Sequence, residues 1–221
     1  MDNLIARDKI KINSNDGLII VDIQNDFLTG GSLAVTDGNQ IIEGVNSLGL
    51  KFKESGARVI FTQDWHPPGH WSFASAHQGK NPFDPIDKVK GIGPILWPDH
   101  CIQGSQGANF HEELDVSLAH LIIRKGYHQK IDSYSAILEN DGETETGLEG
   151  YLKSSKLNRI FICGLALDYC VNFSAIDTVT KGYDVWVVYD LTRGISDQSV
   201  HEAIHQMQEA GIKLVELSNF V

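Results

Sequence analysis

The chain has 221 residues, 42% of them hydrophobic and 21% charged, and a formal net charge of −11. That length suits one large domain over residues 1–221 and would cramp two. The acidic balance, with no basic patch against it, excludes nucleic acid and anionic membrane as expected partners.

No apolar run approaches the ~20 residues that cross a bilayer. The N-terminal MDNLIARDKIKINSND lacks the apolar core and small-residue cleavage site of a signal peptide, so the cytoplasm is the expected location. Cys101, Cys163 and Cys170 form no CxxC pair, which fits a reducing compartment.

In chain order, GLIIVDI (17–23) is an apolar, β-branched run that predicts a first strand. NQIIEGVNSLGLKFKESG (39–56) spaces its apolar residues at helical period and ends on a capping glycine. ARVIFTQ (57–63) and HLIIRKG (120–126) predict two further strands. TGLEGYLKSSK (146–156) reads as helix and NRIFICGL (158–165) as the fourth strand. CVNFSAIDTVTKG (170–182) reads as a helix with a glycine stop, and YDVWVVYD (183–190) as the fifth strand. SVHEAIHQMQEAG (199–211) is a helix after a polar cap, and IKLVEL (212–217) the sixth strand. Apolar strands alternating with helices imply a parallel sheet covered on both faces.

Between residues 63 and 119 the alternation stops. Loops this long inside a compact domain are usually functional or disordered, and Trp65, Trp71, Trp97 and several histidines favour function. Open parallel sheets place their sites outside the carboxyl ends of the strands. Asp22, Asp64, Lys125 and the stretch leading to Cys170 fall at such ends.

Each of these has an ordinary reading beside the chemical one. Cys170 at a helix start would have its thiolate favoured by backbone N–H groups, yet a buried cysteine can simply line a helix. Asp22 is either a used carboxylate or a turn-holding one, and Asp26 reads as turn-holding. Lys125 either pairs with Asp22 and lowers the pKa of a nearby thiol, or snorkels to solvent. Arg124 should face the other side of its strand. Asp64 and His66 in DWH, with His70 and His100, form an N/O donor set suited to zinc, iron or manganese. Histidines stacked on tryptophans would produce the same spacing. GIGPIL (91–96) lacks a phosphate-loop lysine, and no GxSxG occurs.

Taken in order, VDIQNDF, QDWHP, WPDHC, RKG and GLALDYCV resemble the nicotinamidase branch of the isochorismatase-like cysteine hydrolases, over roughly residues 16 to 217. The resemblance implies a three-layer α/β/α fold with a six-stranded parallel sheet. It also implies a catalytic triad of Asp22, Lys125 and Cys170, and one divalent metal ion, zinc before iron or manganese, on Asp64, His66 and His100. His70 stands as a candidate fourth ligand. A cis Leu165–Ala166 peptide and an oxyanion hole from the Ala166 and Cys170 N–H groups follow by the same likeness. So do Phe27, Trp97 and Tyr134 as walls for an aromatic ring. Many relatives carry threonine where this chain has Leu167.

The expected substrate is a small carboxamide, nicotinamide before pyrazinamide, with homo-oligomerisation left open. Two rival readings are an isochorismatase-like amidase for carbamoyl or ureido substrates and a non-catalytic flavodoxin-like binding or thiol redox domain. The metal-capable cluster argues against the first, and Asp22 with Lys125 against the second.

Overall fold

Runs such as LIIV and IFIC have no polar face, so a strand made of them must be covered on both sides. In the computed structural model, which describes residues 5–6, 9–87 and 89–221, every residue of β1 (Asp16–Val21) is buried. The N-terminal stretch read above for a leader lies partly outside the described residues. Further strands follow at β2 (Arg58–Asp64), β3 (Leu121–Lys125), β4 (Arg159–Leu165), β5 (Asp184–Arg193) and β6 (Lys213–Val215). All pair in parallel in the order β3-β2-β1-β4-β5-β6.

The helices are α1 (Ile42–Glu54), α2 (Leu148–Ser154), α3 (Asn172–Thr180) and α4 (Asp197–Glu209). The chain steps outward from β1 to β2 and β3, then crosses back to β4 and steps outward the other way. Right-handed crossovers in opposite directions put α1 on one face and the later helices on the other. This is the three-layer α/β/α arrangement expected. α1 turns Ile42, Val45, Leu48 and Phe52 inward at helical spacing, and Phe52 packs edge-on against Phe161 of β4 at 5.3 Å.

The β1/β4 boundary is the switch point of the sheet, where the two windings part and leave a crevice at the strand ends. Asp22 leaves β1 on one side of it, and the segment carrying Cys170 leaves β4 on the other. No helix among the described residues is long and apolar enough to cross a membrane.

Among the boundaries that differ from the sequence reading, three bear on the site and its frame. Cys170 does not open a helix but sits inside a π-helical turn, Leu167–Val171, and α3 starts at Asn172. The widened turn lets the Ala166 carbonyl accept from both Tyr169 N and Val171 N, at 3.1 Å each. β5 continues to Arg193, because a register shift renews its pairing through Thr192 and Arg193 to Gly164 and Leu165. β6 ends early, where Asn219 Oδ1 accepts from Glu216 N at 2.7 Å and turns the chain.

Candidate active site and metal centre

Lys125 ends β3, yet the crevice lies beyond β2 and β1. Its four-methylene stem carries the ammonium across the end of β2 to the carboxylates that leave β2 and β1. The Lys125 side chain is fully buried, with Nζ 2.9 Å from Asp22 Oδ2 and 2.5 Å from Asp64 Oδ1. It donates to Ser133 O at 2.8 Å and lies 3.4 Å from Cys170 Sγ. Burial alone would strip its proton. Asp22 and Asp64 outweigh that, and hold the ammonium well above its ordinary pKa.

Asp22 takes a left-handed backbone (φ 47°), a conformation uncommon for a residue with a Cβ. Thr62 of β2 donates its hydroxyl to Asp22 Oδ1 at 2.5 Å and accepts from Asp22 N at 3.2 Å. Oδ2 faces the lysine but makes no well-angled hydrogen bond. Burial raises the Asp22 pKa against the pull of Lys125.

The expectation that a helix start would favour the Cys170 thiolate is corrected here. The residue is 7% exposed inside the π turn, and burial pushes its thiol well above the usual range. Lys125 opposes this, while Asp22 and Asp64 add to it. Burial thus raises the proton affinity of the thiol and of the Asp22 carboxylate alike, and both groups face the same Lys125 ammonium.

Asp64 ends β2 beside Lys125. Burial would raise its pKa, but Lys125 and then His66 hold it well below the carboxylate range. His66 Nδ1 donates to Gly126 O at 2.8 Å, and His100 Nδ1 donates to Pro98 O at 2.8 Å. Fixing the proton on Nδ1 frees Nε2 of each ring as a lone-pair donor. These Nε2 atoms lie 3.7 and 3.9 Å from Asp64 Oδ2. His66 Nε2 is buried with no hydrogen-bond partner. A buried orphan nitrogen among an imidazole and a carboxylate fits a divalent cation, and ligand atoms of Asp64, His66 and His100 all lie within 4.8 Å.

His70 stacks on His66, with ring centroids 4.5 Å apart. It stands outside the Asp64–His66–His100 group but forms a second set of close ligand atoms with His66 and Asp132, and both its nitrogens carry hydrogen bonds. Nε2 donates toward His128 O (2.8 Å) and Ile131 O (3.1 Å), and Nδ1 accepts from Ser72 Oγ at 2.7 Å. Its contacts tie the loop after β3 to the DWH segment. That loop delivers Asp132, which sequence reasoning missed. Its Oδ1 is 3.9 Å from His66 Nε2, and its Oδ2 is buried without a partner. KIDSYS carries no histidine or tryptophan to mark it.

A small cavity opens over the thiol, lined among others by Phe27, Trp97, Tyr134, Ala166, Asp132 and Cys170. The three aromatic residues expected as ring walls are thus together. Trp97 Nε1 donates to Tyr134 Oη at 3.0 Å, and the Trp97 ring meets Tyr169 edge-on at 4.9 Å. Asp64 and His100 also line the cavity, as do Tyr169 from the GLALDYCV motif and Leu33, Val35 and Ile195, which no motif marked. The Leu165–Ala166 peptide is cis, as the resemblance implied. Asp26 holds the backbone, as expected, accepting from Cys101 N at 2.7 Å. Arg124 turns away to stack on Trp65 at 3.8 Å.

A parallel α/β frame with a lysine-bridged aspartate and cysteine at its switch point defines a hydrolase class, and comparison with known proteins agrees. The Isochorismatase domain model matches residues 16–218, and the chain belongs to that family. Within it, the likeness runs to nicotinamidases. A nicotinamidase of Acinetobacter baylyi is 44% identical over 214 residues, covering 96% of this chain and 98% of its own. A solved L. infantum structure in complex with nicotinate has a TM-score of 0.84 at 37% identity, covering 96% of this chain and 98% of its own. A pyrazinamidase of Pyrococcus horikoshii in complex with zinc has a TM-score of 0.75 at 35% identity, covering 91% and 99%.

Proposed function

We propose that this chain is a metal-containing cysteine amidohydrolase that converts nicotinamide to nicotinate and ammonia, a step of pyridine-nucleotide salvage, and that also accepts pyrazinamide-like carboxamides. The observation that carries the reading is Lys125 Nζ set among Asp22, Asp64 and Cys170, next to the orphan Nε2 of His66.

Asp22 accepts the thiol proton while Lys125 balances the charge. Sulfur then attacks the carboxamide carbon, forming a C–S bond. The Ala166 and Cys170 N–H groups stabilise the oxyanion, a contact whose loss typically costs about 10²–10³-fold in rate. Protonated Asp22 returns its proton to the leaving nitrogen as the C–N bond breaks. Water then cleaves the thioester, releasing the acid and restoring the thiol. Phe27, Trp97 and Tyr134 hold the flat ring and exclude water. Asp64, His66 and His100 would hold a divalent ion, with zinc the first choice, which would supply a Lewis-acid anchor for the substrate ring.

The test is product analysis with metal-replete protein on nicotinamide and on a carbamoyl amino acid. Equal yields of nicotinate and ammonia from nicotinamide alone, lost with chelator and restored by one of Zn, Fe or Mn, support the reading. Hydrolysis of the carbamoyl compound alone would replace it with the ureido-amidase reading.

A further inference from the structure

Two residues before the nucleophile, Asp168 is 6% exposed and points away from the thiol, into the loop between β5 and α4. Its carboxylate accepts from Ile195 N at 3.1 and 3.0 Å, from Ser196 N at 3.3 Å and from the Ser199 hydroxyl at 2.5 Å. Three donors, two from the loop and one from the first turn of α4, thus converge on this carboxylate. Gly194 lets the loop pass this close: a Cβ there would come within 2.1 Å of Val200 Cγ2 and 3.2 Å of Asp168 Oδ1. Ser196 caps α4 by accepting from Ser199 N, so the clamp also fixes where that helix begins.

The loop held in this way carries Ile195. That side chain lines the cavity with Ala166, Tyr169 and Cys170, yet its residue is 38% exposed. A half-exposed wall residue on a loop has little packing to hold it. Here its own N–H is fastened to the turn that bears the nucleophile. β5 pairing brings the chain as far as Arg193, and beyond it the Asp168 carboxylate sets the distance between sulfur and this wall.

We infer that Asp168 is a positioning residue that locks the 194–196 loop to the nucleophile turn and thereby sets, through Ile195, the width of the substrate cavity and its discrimination against ring-substituted carboxamides. The inference rests on the reading that this cavity holds the aromatic ring. Asp168 touches no reacting atom. It acts on the fit of the ring rather than on the bond cleaved.

Asp168→Asn keeps the shape of the side chain but turns one acceptor into a donor facing the Ser196 N–H and the Ser199 hydroxyl. The expected result is a KM for nicotinamide raised about tenfold, about the worth of one charge-assisted hydrogen bond, with a smaller change in kcat. The preference for nicotinamide over a 5-alkyl nicotinamide should narrow. Ile195→Ala should narrow it too, and the double variant should add little. Ser199→Ala, which leaves both backbone donors in place, should shift KM less than Asp168→Asn. Amide hydrogen exchange at Ile195 and Ser196 reads the clamp without turnover and should quicken in Asp168→Asn. A fall in kcat at unchanged KM and unchanged preference would overturn the inference, and so would unchanged exchange. Quickened exchange in a protein whose wild type does not turn over nicotinamide would uphold the clamp while removing its substrate assignment.

Discussion

The strand ends and the long loops build the site by different means. Asp22, Asp64 and Lys125 are placed by ladder register: Asp64 lies beside Lys125 in the β2–β3 pairing, and β1 brings Asp22 to the same edge. The loop residues have no ladder. His66 is aimed by Gly126 O, His100 by Pro98 O, and the segment around Cys101 by the Asp26 carboxylate. The regular region positions through many shared backbone bonds, so one side-chain change there alters charge more than shape. The irregular region has only isolated bridges, such as His66 with Ile102, and aims each ring through one side-chain contact, so one change there turns a ligand.

Lys125→Met is the harshest way to break the regular side. It leaves Asp22 and Asp64 buried without their cation, and removing one partner of a buried ion pair costs about 3–5 kcal/mol. Urea denaturation should register that loss, and turnover should fall below detection. An unchanged midpoint would mean that the ammonium does not hold the two carboxylates.

Acidity probes the loop side. Burial, and then the charge of His66, lower the His100 pKa from 6.5 to about 4. Between those values the unfolded chain binds more protons than the folded one, so stability rises with pH across that window, by at most about 3 kcal/mol. His66 runs the other way. Asp64 outweighs burial and raises its pKa above 6.5, so its contribution is full below 6.5 and lost as pH climbs through the folded value. In metal-free protein, the gap in urea midpoint between wild type and a variant carrying His66→Ala and His100→Ala should peak near pH 6.5, since the subtraction removes the opposite slope from Asp22. A gap that falls steadily from pH 4 upward would contradict this pairing.

Gly126→Ala sharpens the contrast at lower cost. Gly126 has φ 64°, and a Cβ there would come within 2.5 Å of His66 Cε1. Strain and the displaced imidazole should cost about 1–3 kcal/mol in stability. Metal affinity should fall about 10–100-fold, as when an outer partner of a ligating histidine is lost. Metal titration followed by calorimetry reads both. Unaltered affinity would mean that the Gly126 carbonyl does not orient the ligand.

The same division explains what could be read from the amino-acid order. The six strands and the residues at their ends were legible, because an apolar run has a definite start and stop and the next residue falls at the crevice. Phe27, Trp97 and Tyr134 came by resemblance rather than from periodicity. Asp132 and Ile195 were not legible, since each matters only through the loop it meets: Asp132 through His66, Ile195 through Asp168. The local structure around Cys170 was misread for a related reason. The π turn depends on the Ala166 carbonyl taking two N–H groups, and burial of the thiol depends on walls from several distant segments. His70 shows the limit from another side. Its spacing suits a ligand and the fold sets it beside His66 and Asp132, yet both its ring nitrogens carry hydrogen bonds.

The central claim is that the strand ends cleave the amide while the loop cluster presents the ring. Cys170→Ala tests it most directly, with metal content, nicotinamide binding and ammonia release measured on one preparation. The account predicts unchanged metal, retained binding and ammonia release reduced at least about 10⁴-fold. Ammonia release near the wild-type rate with metal in place would contradict the covalent scheme.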